Sequence, residues 1–502
     1  MLSRNESIGK SEQLSTLMTE LEAFVHGAAQ DGRPMHEMER ELWQRLLKIG
    51  HQSMEQFIRE QGDGDLGETF VTSDGRVLKR LEYFHQRRYR SIFGTFELER
   101  VVYGSREGQK IEFVPLDQRL QLPESGFSYV LQDWNQALGV EHAFSRVDET
   151  IERILGFHQP VDSLERMNRQ MATDVERFRG SRKAPPVKEE GEVVVMTADN
   201  KGIPMRRPVE QKPVSGHRKK GEKANKKQLA TVGVVYTIDP HIRTADEVIA
   251  ALFRDDSTRK KEDVPVAQHK RAWSSLKQKK DGDIELSEDL VFDWMAEEIA
   301  RRNPNDEKVV VCLMDGGRSL WKARERHLPS DDVVEILDLI HVTPRLWDAA
   351  HLFHHEGSEA ASDFVRQRLL RILEGDIGYV IGGLRQKSTK QPLRGHKATQ
   401  LDTICRYLEA NRHRMKYDEY LAAGYPIASG VIEGACRHVI KDRMERSGMR
   451  WAVIGAQAML DLRTTYINEQ WNAYQVYRID QANRRLYPDA GALEAVEWPL
   501  AA

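Results

Sequence analysis

Apolar side chains recur at two different spacings in the first quarter of the chain. In residues 1–62 they return every three or four positions in two separate runs, which predicts two helices. In residues 63–124 the spacing shortens, because Phe96 and Leu98 alternate with glutamates just after Gly94. Apolar and charged residues that alternate after a turn residue are typical of a hairpin, so this segment is predicted to contain a short β-ribbon.

Three further helices are predicted over residues 125–180, and the last of them has two different faces. Its apolar face extends to Phe178, while its polar face carries Arg166, Asn168 and Arg169. Three short helices with an arginine-bearing last helix are typical of helix-turn-helix DNA readers, although many three-helix units bind nothing. We predict a helical DNA-binding domain here, with Arg166 and Arg169 as contacts.

The pattern after residue 181 changes to apolar runs without alternation. Four runs predict strands buried on both faces: VVVMTAD (193–199), LATVGVVYT (229–237), VVVCLMD (309–315) and VVEILD (333–338). With a helix predicted at about 287–301, they indicate an α/β sheet covered by helices. Residues 344–425 return to helical spacing, and a last helical stretch is predicted over 429–447, ended by Gly448.

Composition narrows the class of protein. The 502 residues are 40% hydrophobic and 30% charged, which is typical of a globular protein, and the length predicts about three domains. The formal net charge of −3 neither favours nor excludes a nucleic-acid partner, because local patches decide such contacts. The three cysteines form no C-x-x-C pair, and no run has the length of a membrane span. We expect a cytoplasmic protein without a zinc ribbon or a membrane partner.

Two of the buried strands are predicted to end in aspartate, at Asp199 in TADNKG and at Asp315 in MDGG. Open α/β sheets build their sites at the carboxyl ends of strands. Carboxylates are the ligands that Mg²⁺ prefers, and two such ions can hold the attacking and leaving oxygens of a phosphoryl displacement. Each aspartate taken alone is also explained by a turn or a helix cap.

A third carboxylate completes such a site, and Glu433 in SGVIEGACRHVIKDRMERSGMRW is the best candidate. Arg437 and Lys441 follow it at i+4 and i+8, so one helical face is predicted to carry a carboxylate and then two cations. That arrangement fits DNA passing a metal site, with phosphates on the cations. The alternative is an ordinary surface ion pair.

Two further basic segments are candidates for DNA contacts. The segment 217–227 lies between the first two strands, where it would grip the phosphate backbone or form a solvated loop; its candidate residues are Lys219, Lys220, Lys226 and Lys227. The second segment follows the Glu433 helix and contains Arg443, Arg446, Arg450 and Trp451. The arginines suit phosphate oxygens, while the tryptophan would stack on a base or anchor the next helix in the core.

The strings TADNKG, MDGGRSLW and ILDLIH, together with the string around Glu433, resemble those of RNase H-like DDE transposases, and of the ISKra-type insertion-sequence transposases in particular. The strings YRSIFGTFELER and VPLDQRLQLP extend the resemblance to about residues 85–475. It implies that Asp199, Asp315 and Glu433 are catalytic and bind two Mg²⁺ ions, with Mn²⁺ as a substitute. Asp338 and His341 match an Asp-x-x-His signature of related transposases, which adds His341 to the catalytic residues; the alternative for His341 is a hydrogen-bonded histidine at the start of a helix.

The same resemblance implies the domain organisation. An RNase H-like catalytic domain is expected over 181–343 and 426–475, interrupted by a helical insertion over 344–425. An α+β DNA-binding region would precede it, and a tail over 476–502 would follow it. Some relatives carry cysteine-rich zinc motifs near the N-terminus, and this sequence lacks them.

The implied activity is metal-dependent cleavage of insertion-sequence ends and strand transfer into target DNA. The implied partners are terminal inverted repeats, target DNA and further copies of the chain, in a nucleoid-associated complex. One alternative is an RNase H-fold nuclease that cuts DNA without joining it. Another is a non-catalytic DNA-binding descendant, which should have lost a carboxylate, whereas all three are present.

Overall fold

The computed structural model describes residues 4–106, 111–206, 227–255, 264–280, 282–446, 448–488, 490–493 and 498. The chain divides into two compact units. Unit 1 consists of Met1–Asp174 with Asn472–Ala502, and unit 2 consists of Val175–Trp471. The finer division of the sequence into six segments stays a prediction.

Within the described residues, unit 1 contains a helical hairpin, small β-sheets, four shorter helices and a C-terminal helix. Its helices are α1 (Arg4–Gln30), α2 (Met35–Glu60), α3 (Pro115–Arg119), α4 (Tyr129–Glu141), α5 (Phe144–Leu155) and α6 (Val161–Ala172), followed much later by the C-terminal helix (Trp471–Leu486). Its strands are β1 (Thr69–Val71), β2 (Val77–Arg80), β3 (His85–Ser91), β4 (Gly94–Arg100) and β5 (Tyr103–Gly104).

The elements predicted in unit 1 are present with one change. The two N-terminal helices are α1 and α2, and the ribbon is the antiparallel β3–β4 hairpin, in which Phe96 and Leu98 are buried. The third predicted helix does not continue to Phe178, because α6 ends at Ala172. Thr173 donates its hydroxyl to the backbone oxygen of Gln170 at 2.7 Å, a local bond that competes with helical pairing.

Unit 2 is built on a five-stranded sheet with helices on both faces. Its helices are α7 (Val175–Ser181), α8 (Ala245–Phe253), α9 (Ser287–Arg302), α10 (Arg318–His327), α11 (Leu339–His351), α12 (Glu359–Leu373), α13 (Ile377–Lys390), α14 (His396–Ala410), α15 (Tyr417–Ala422), α16 (Gly430–Cys436), α17 (Asp442–Met444) and α18 (Val453–Ile467). Its strands are β6 (Val193–Pro204), β7 (Lys227–Ile238), β8 (Gln268–Leu276), β9 (Gln278–Lys280), β10 (Asp283–Glu285), β11 (Val309–Met314) and β12 (Val334–Leu337).

The strand order in the large sheet is β12-β11-β6-β7-β8. The strands β6, β7 and β8 pair antiparallel, whereas β11 runs parallel to β6 and β12 runs parallel to β11. A mixed sheet of five strands in this order, covered by helices, is consistent with an RNase H-like core. The predicted α/β class is therefore confirmed at this level.

Helices α9 and α10 cover one face of the sheet and form its main hydrophobic core. Gly233 on β7 permits the close approach of α9, because a Cβ there would lie 2.5 Å from Val291 and 2.9 Å from Met295. The opposite face is covered by α16, which packs on β6 and β7, whereas α18 packs along the edge strand β8 and bonds to its backbone through Gln457 and the C-cap residue Asn468.

Three features of unit 2 differ from the sequence-based expectations. The strand β6 does not end at Asp199 but continues to Pro204, paired with β7 along its whole length. The edge strand β8 was not expected, because its first half is polar and lacks apolar alternation. The last helical stretch ends at Met444, after a π-helical turn at Arg437–Lys441, rather than running to Gly448.

Within the described residues, no helix combines the length and the apolar character that crossing a membrane requires.

Candidate catalytic site

The two predicted aspartates stand at the same level of neighbouring parallel strands. Cys312 of β11 pairs with Met196 of β6, and three residues further along each strand come Asp315 and Asp199. The residue before each aspartate is packed in the core beneath α9 and α10. Because successive side chains of a strand point to opposite faces, both carboxylates belong to the other face of the sheet.

A third aspartate, Asp338, extends this row onto the edge strand. Met314 of β11 pairs with Leu337 of β12, so Asp338 directly follows the pair at the level of Asp315. The backbone N–H of Asp338 also donates to the backbone oxygen of Met314 at 2.8 Å, which continues the ladder by one residue. The three neighbouring parallel strands therefore carry aspartates at one level, with Asp199 inside β6 and Asp315 and Asp338 just past the ends of β11 and β12.

Helix α16 brings the region of Glu433 next to Asp199. Cys436, one turn after Glu433, points its thiol at Asp199, with Sγ 3.5 Å from Oδ2. Burial raises the pKa of the Cys436 thiol, and the carboxylates of Asp199 and Glu433 raise it further. The thiol therefore remains protonated and donates to the aspartate. Glu433 itself is exposed on the outer side of the helix.

Asp338 joins the starts of two helices in this site. It is 1% exposed, and its Oδ1 caps α11 by accepting the backbone N–H of Ile340 at 2.9 Å. The same carboxylate accepts the backbone N–H of Ser429 at 3.4 Å, and Ser429 in turn caps α16. Asp338 thus fixes the position of the Glu433 helix relative to the edge strand, a role that the sequence did not indicate.

His341 lies one turn into α11, within the electrostatic reach of the aspartate row. Its Nδ1 is 3.8 Å from Oδ2 of Asp338, and its side chain is 37% exposed. The Asp338 carboxylate raises the pKa of His341, and the charges of Asp315 and Asp199 act in the same direction. The structure therefore places the predicted histidine beside Asp338, within range of the charges of Asp315 and Asp199.

The Asp315 turn is held from two sides. The backbone N–H of Gly317 donates to Oδ1 of Asp315 at 2.9 Å, and the indole of Trp321 donates to its backbone oxygen at 2.7 Å. From the helical segment, the ring of Tyr407 lies so close to Gly316 that a Cβ there would be 2.4 Å from the ring. Tyr407, which the sequence analysis missed, therefore shapes the backbone that carries Asp315.

The donor chemistry of the site fits magnesium, but the donors do not form a closed set. Carboxylate oxygens are the ligands that Mg²⁺ prefers. In the part of the chain that the structure describes, no three His, Cys, Asp or Glu side chains are placed together to hold a metal ion. Asp199 and Asp315 fit as a pair of donors on one face of the sheet, whereas the exposed Glu433 does not complete a ligand shell.

The cations predicted after Glu433 divide into exposed and buried groups. Arg437, Lys441, Arg446 and Arg450 are exposed, as Glu433 is, and Arg437 forms an ion pair with Asp442, with Nε 3.5 Å from Oδ1. Arg443 is 1% exposed and lies over the ring of Trp451, with Cζ 5.0 Å from the ring centroid. Its guanidinium is an interior group and does not face a surface where phosphate would bind.

Trp451 is tied to the end of β6. Its backbone N–H donates to the oxygen of Pro204 at 3.0 Å, and its indole N–H donates to the oxygen of Met444 at 3.1 Å. These contacts correspond to the anchoring role among the two alternatives for this residue.

The remaining predicted DNA contacts lie in three places. Lys227 begins β7, and its Nζ pairs with Oε1 of Glu445 at 2.6 Å, so its charge is already compensated. Lys219, Lys220 and Lys226 lie outside the described residues. In unit 1, Arg166 is exposed on α6 with Nη2 3.2 Å from the Ser163 hydroxyl, and Arg169 is half-buried.

Comparisons with known proteins leave the family unassigned. No protein-family model matches the chain, and no curated protein sequence matches it. Among solved structures, the chain is similar to a chain of the Drosophila P element transposase strand transfer complex, with 9% sequence identity and a TM-score of 0.22. The match covers 78% of this chain and 90% of that chain. At so low a TM-score the site is interpreted from its own geometry alone.

Proposed function

We propose that the chain is a DDE transposase of the ISKra type that cleaves insertion-sequence ends and transfers them to target DNA. The observation that carries the proposal is the placement of Asp199 and Asp315 at one level of parallel strands, on the face covered by the Glu433 helix. Carboxylates arranged in this way on a mixed five-stranded sheet suit phosphoryl chemistry on DNA.

In this proposal Asp199 and Asp315 are the primary ligands for Mg²⁺, or for Mn²⁺ in its place, and Glu433 is the third. When bound, two such ions would lower the pKa of the attacking water or 3′-hydroxyl and stabilise the leaving oxygen. The chain itself supplies the positions of the carboxylates through β6, β11 and α16. His341, with its raised pKa, would place a positive charge beside the scissile phosphate.

The partners in this proposal are terminal inverted repeats and target DNA. Arg437, Lys441, Arg446 and Arg450 are exposed on the stretch that follows Glu433, and phosphates bound there would lead a strand towards the carboxylates. Arg166 and Arg169 on α6 of unit 1 would contribute to recognition of the ends. Joining two ends requires at least two active sites, so we also propose that the active complex contains more than one copy.

The test is an assay of cleavage and of strand transfer with Mg²⁺ and with Mn²⁺, using DNA that carries the element ends. Asp199→Asn and Asp315→Asn should each reduce cleavage by a factor of about 1000 or more while DNA binding persists. Glu325→Gln, an exposed carboxylate on α10, is the matched control and should retain full activity. Cleavage that survives in the aspartate variants would remove these residues from the site.

Two further measurements separate the alternatives. A pre-cut end that is never joined to target DNA, despite active cleavage, would favour an RNase H-fold nuclease. Calorimetry with Mn²⁺ alone should show binding to the unaltered chain that Asp315→Asn weakens about tenfold or more, as expected when a charged ligand is lost. Equal binding by both proteins would contradict the proposed metal ligands.

A further inference from the structure

A cavity of about 270 Å³ lies in unit 1, far along the sequence from the carboxylates of unit 2. It is bounded by the start of α4, the end of α6 and the C-terminal helix. Its lining includes two arginines of the C-terminal helix, Arg478 and Arg485, together with Tyr129 and Gln132 of α4. The space exceeds the roughly 30 Å³ that one water molecule occupies, so it has room for a small ligand.

Arg478 is held rigidly in the wall of this cavity. It is 8% exposed, its Nε donates to Oε1 of Gln475 at 2.7 Å, and its Nη1 donates to Oε1 of Gln132 at 3.1 Å. Gln132 is itself oriented, because its Nε2 donates to the backbone oxygen of Phe127 at 2.7 Å. Two of the three guanidinium nitrogens are therefore hydrogen-bonded, and these bonds fix the orientation of the group.

Two donors of the cavity remain without a hydrogen-bond partner among the described residues. One is Nη2 of Arg478, and the other is the hydroxyl of Tyr129; both atoms are buried. The two side chains are neighbours, with Cζ of Arg478 5.4 Å from the centroid of the Tyr129 ring. Buried donors in folded proteins are nearly always paired. These two donors therefore need an acceptor that the described residues do not supply.

Among the described residues of the lining, an arginine without a salt bridge favours an anion as that acceptor, although the two arginines and two acids of the lining balance in formal charge. Within the described residues Arg478 forms no salt bridge, while Arg485 lies 3.8 Å from the buried carboxylate of Asp174. The other acid of the lining, Glu124, is exposed, so its charge is screened by solvent. The first residue of α4, a helix of 13 residues, is Tyr129, so the positive end of that helix also opens on the cavity.

We infer that this cavity is a binding site for a phosphate-type oxyanion, taken either as free phosphate or as a phosphodiester of DNA. A tetrahedral oxyanion would accept both N–H groups of Nη2 and the phenol hydroxyl at once, which satisfies the two unpaired donors. Met171 and Leu486 in the lining provide an apolar wall for a carbon group attached to the phosphate. The site needs none of the carboxylates of unit 2, so it does not depend on the proposed catalytic activity.

The test uses the full-length chain and inorganic phosphate, with binding measured by calorimetry at constant ionic strength. Tyr129→Phe removes only a hydroxyl that has no hydrogen-bond partner among the described residues, so its fold should be retained, and phosphate affinity should fall about tenfold. Arg485→Gln should also weaken binding. Tyr83→Phe, at a tyrosine that is 69% exposed, is the matched control and should bind as the unaltered chain does.

A DNA arm distinguishes the source of the anion. If Tyr129→Phe weakens binding of a short duplex as well, the occupant is a phosphodiester; if only inorganic phosphate is affected, the occupant is a free anion. The inference would be overturned if phosphate did not bind, or if the Tyr129→Phe variant and the unaltered chain bound it with equal affinity. Ordered water would then be the occupant of the cavity. Both measurements are made without divalent metal, so loss of the catalytic site would not alter them.

Discussion

The thiol of Cys436 lies 3.5 Å from the carboxylate of Asp199, across the gap between α16 and the middle strand of the sheet. This contact decides how closely the Glu433 helix approaches the aspartates, because Cys436 is 2% exposed and is packed against the strand. Its size and its hydrogen atom both matter: a larger side chain would lift the helix, and a side chain without a donor would leave Oδ2 unpaired on that side.

The effect of replacing Cys436 on cleavage should therefore depend on the size of the new side chain. Cys436→Ser keeps a small donor and should retain cleavage within about threefold, because one hydrogen bond replaces another of similar worth. Cys436→Leu adds volume to a filled position, should cost about 1–3 kcal/mol of stability, and should reduce cleavage more than this stability loss explains. Thermal unfolding and cleavage rates measured together check the prediction. A leucine variant that is folded and fully active would show that the approach of α16 is unimportant.

The contact between Gly316 and Tyr407 yields a second prediction. Gly316→Ala would place a Cβ 2.4 Å from the tyrosine ring, so the Asp315 turn must shift. Because small displacements of a reacting group cost about 100-fold in rate, cleavage should fall by that order while the fold persists. Cleavage kinetics and circular dichroism provide the measurement.

The matched control for Gly316→Ala is Gly383→Ala on α13, where an added Cβ meets nothing within 4 Å. A second variant tests the cause: Gly316→Ala combined with Tyr407→Leu removes the ring and should recover part of the activity. If the combined variant is as inactive as Gly316→Ala alone, the collision with Tyr407 is not the reason for the loss.

The sequence predicted those parts of unit 2 that depend on short-range patterns. The buried runs that became β6, β7, β11 and β12 are apolar on both faces, so local composition was sufficient. The strand β8 was not predicted because an edge strand needs fewer apolar residues. His269 and Lys270 on this strand, for example, are exposed. Local pattern also placed Asp199 at a strand end, whereas pairing with β7 continues the strand beyond it.

The sequence placed Asp199 and Asp315 on neighbouring strands, but it did not indicate the residues that hold them in position. Glu433, Arg437 and Lys441 are all exposed, and their spacing is a local property of the sequence. Tyr407 reaches the Asp315 turn from a helix about 90 residues later in the chain, and no local signal marks such a contact. Arg443 was taken as a surface cation because charge alone does not reveal that an arginine is enclosed over a tryptophan ring.

The pKa of His341 provides a pH-dependent test. The neighbouring Asp338 carboxylate raises this pKa above the ordinary value of 6.5, so the imidazole should titrate at higher pH than in an unfolded chain. Its contribution to the free energy of unfolding is fully present below pH 6.5 and is lost as the pH rises through the folded-state pKa. Nuclear magnetic resonance of the labelled imidazole measures the value directly.

Asp338→Asn is the informative variant for this titration. It keeps an oxygen that can cap α11 but removes the charge, so the pKa of His341 should fall towards 6.5 and the pH dependence of unfolding should weaken. Asp348→Asn, at the far end of the same helix, should leave the titration unchanged. A His341 pKa that does not respond to the loss of the Asp338 charge would assign the shift to another cause.

The exposed cations Arg437 and Lys441 predict how DNA affinity should depend on salt concentration. If Arg437 and Lys441 each contact a phosphate, replacing both by glutamine should reduce the slope of log affinity against log salt by about 1.8, since each contact contributes about 0.9. Lys227→Gln is the control: its charge is paired with Glu445 at 2.6 Å, more closely than Arg437 is paired with Asp442 at 3.5 Å, so the slope should hardly change. Duplex binding at several salt concentrations, without divalent metal, gives the slopes. An unchanged slope in the double variant would place the DNA path away from this helix, and a large change in Lys227→Gln would mean that DNA displaces Glu445.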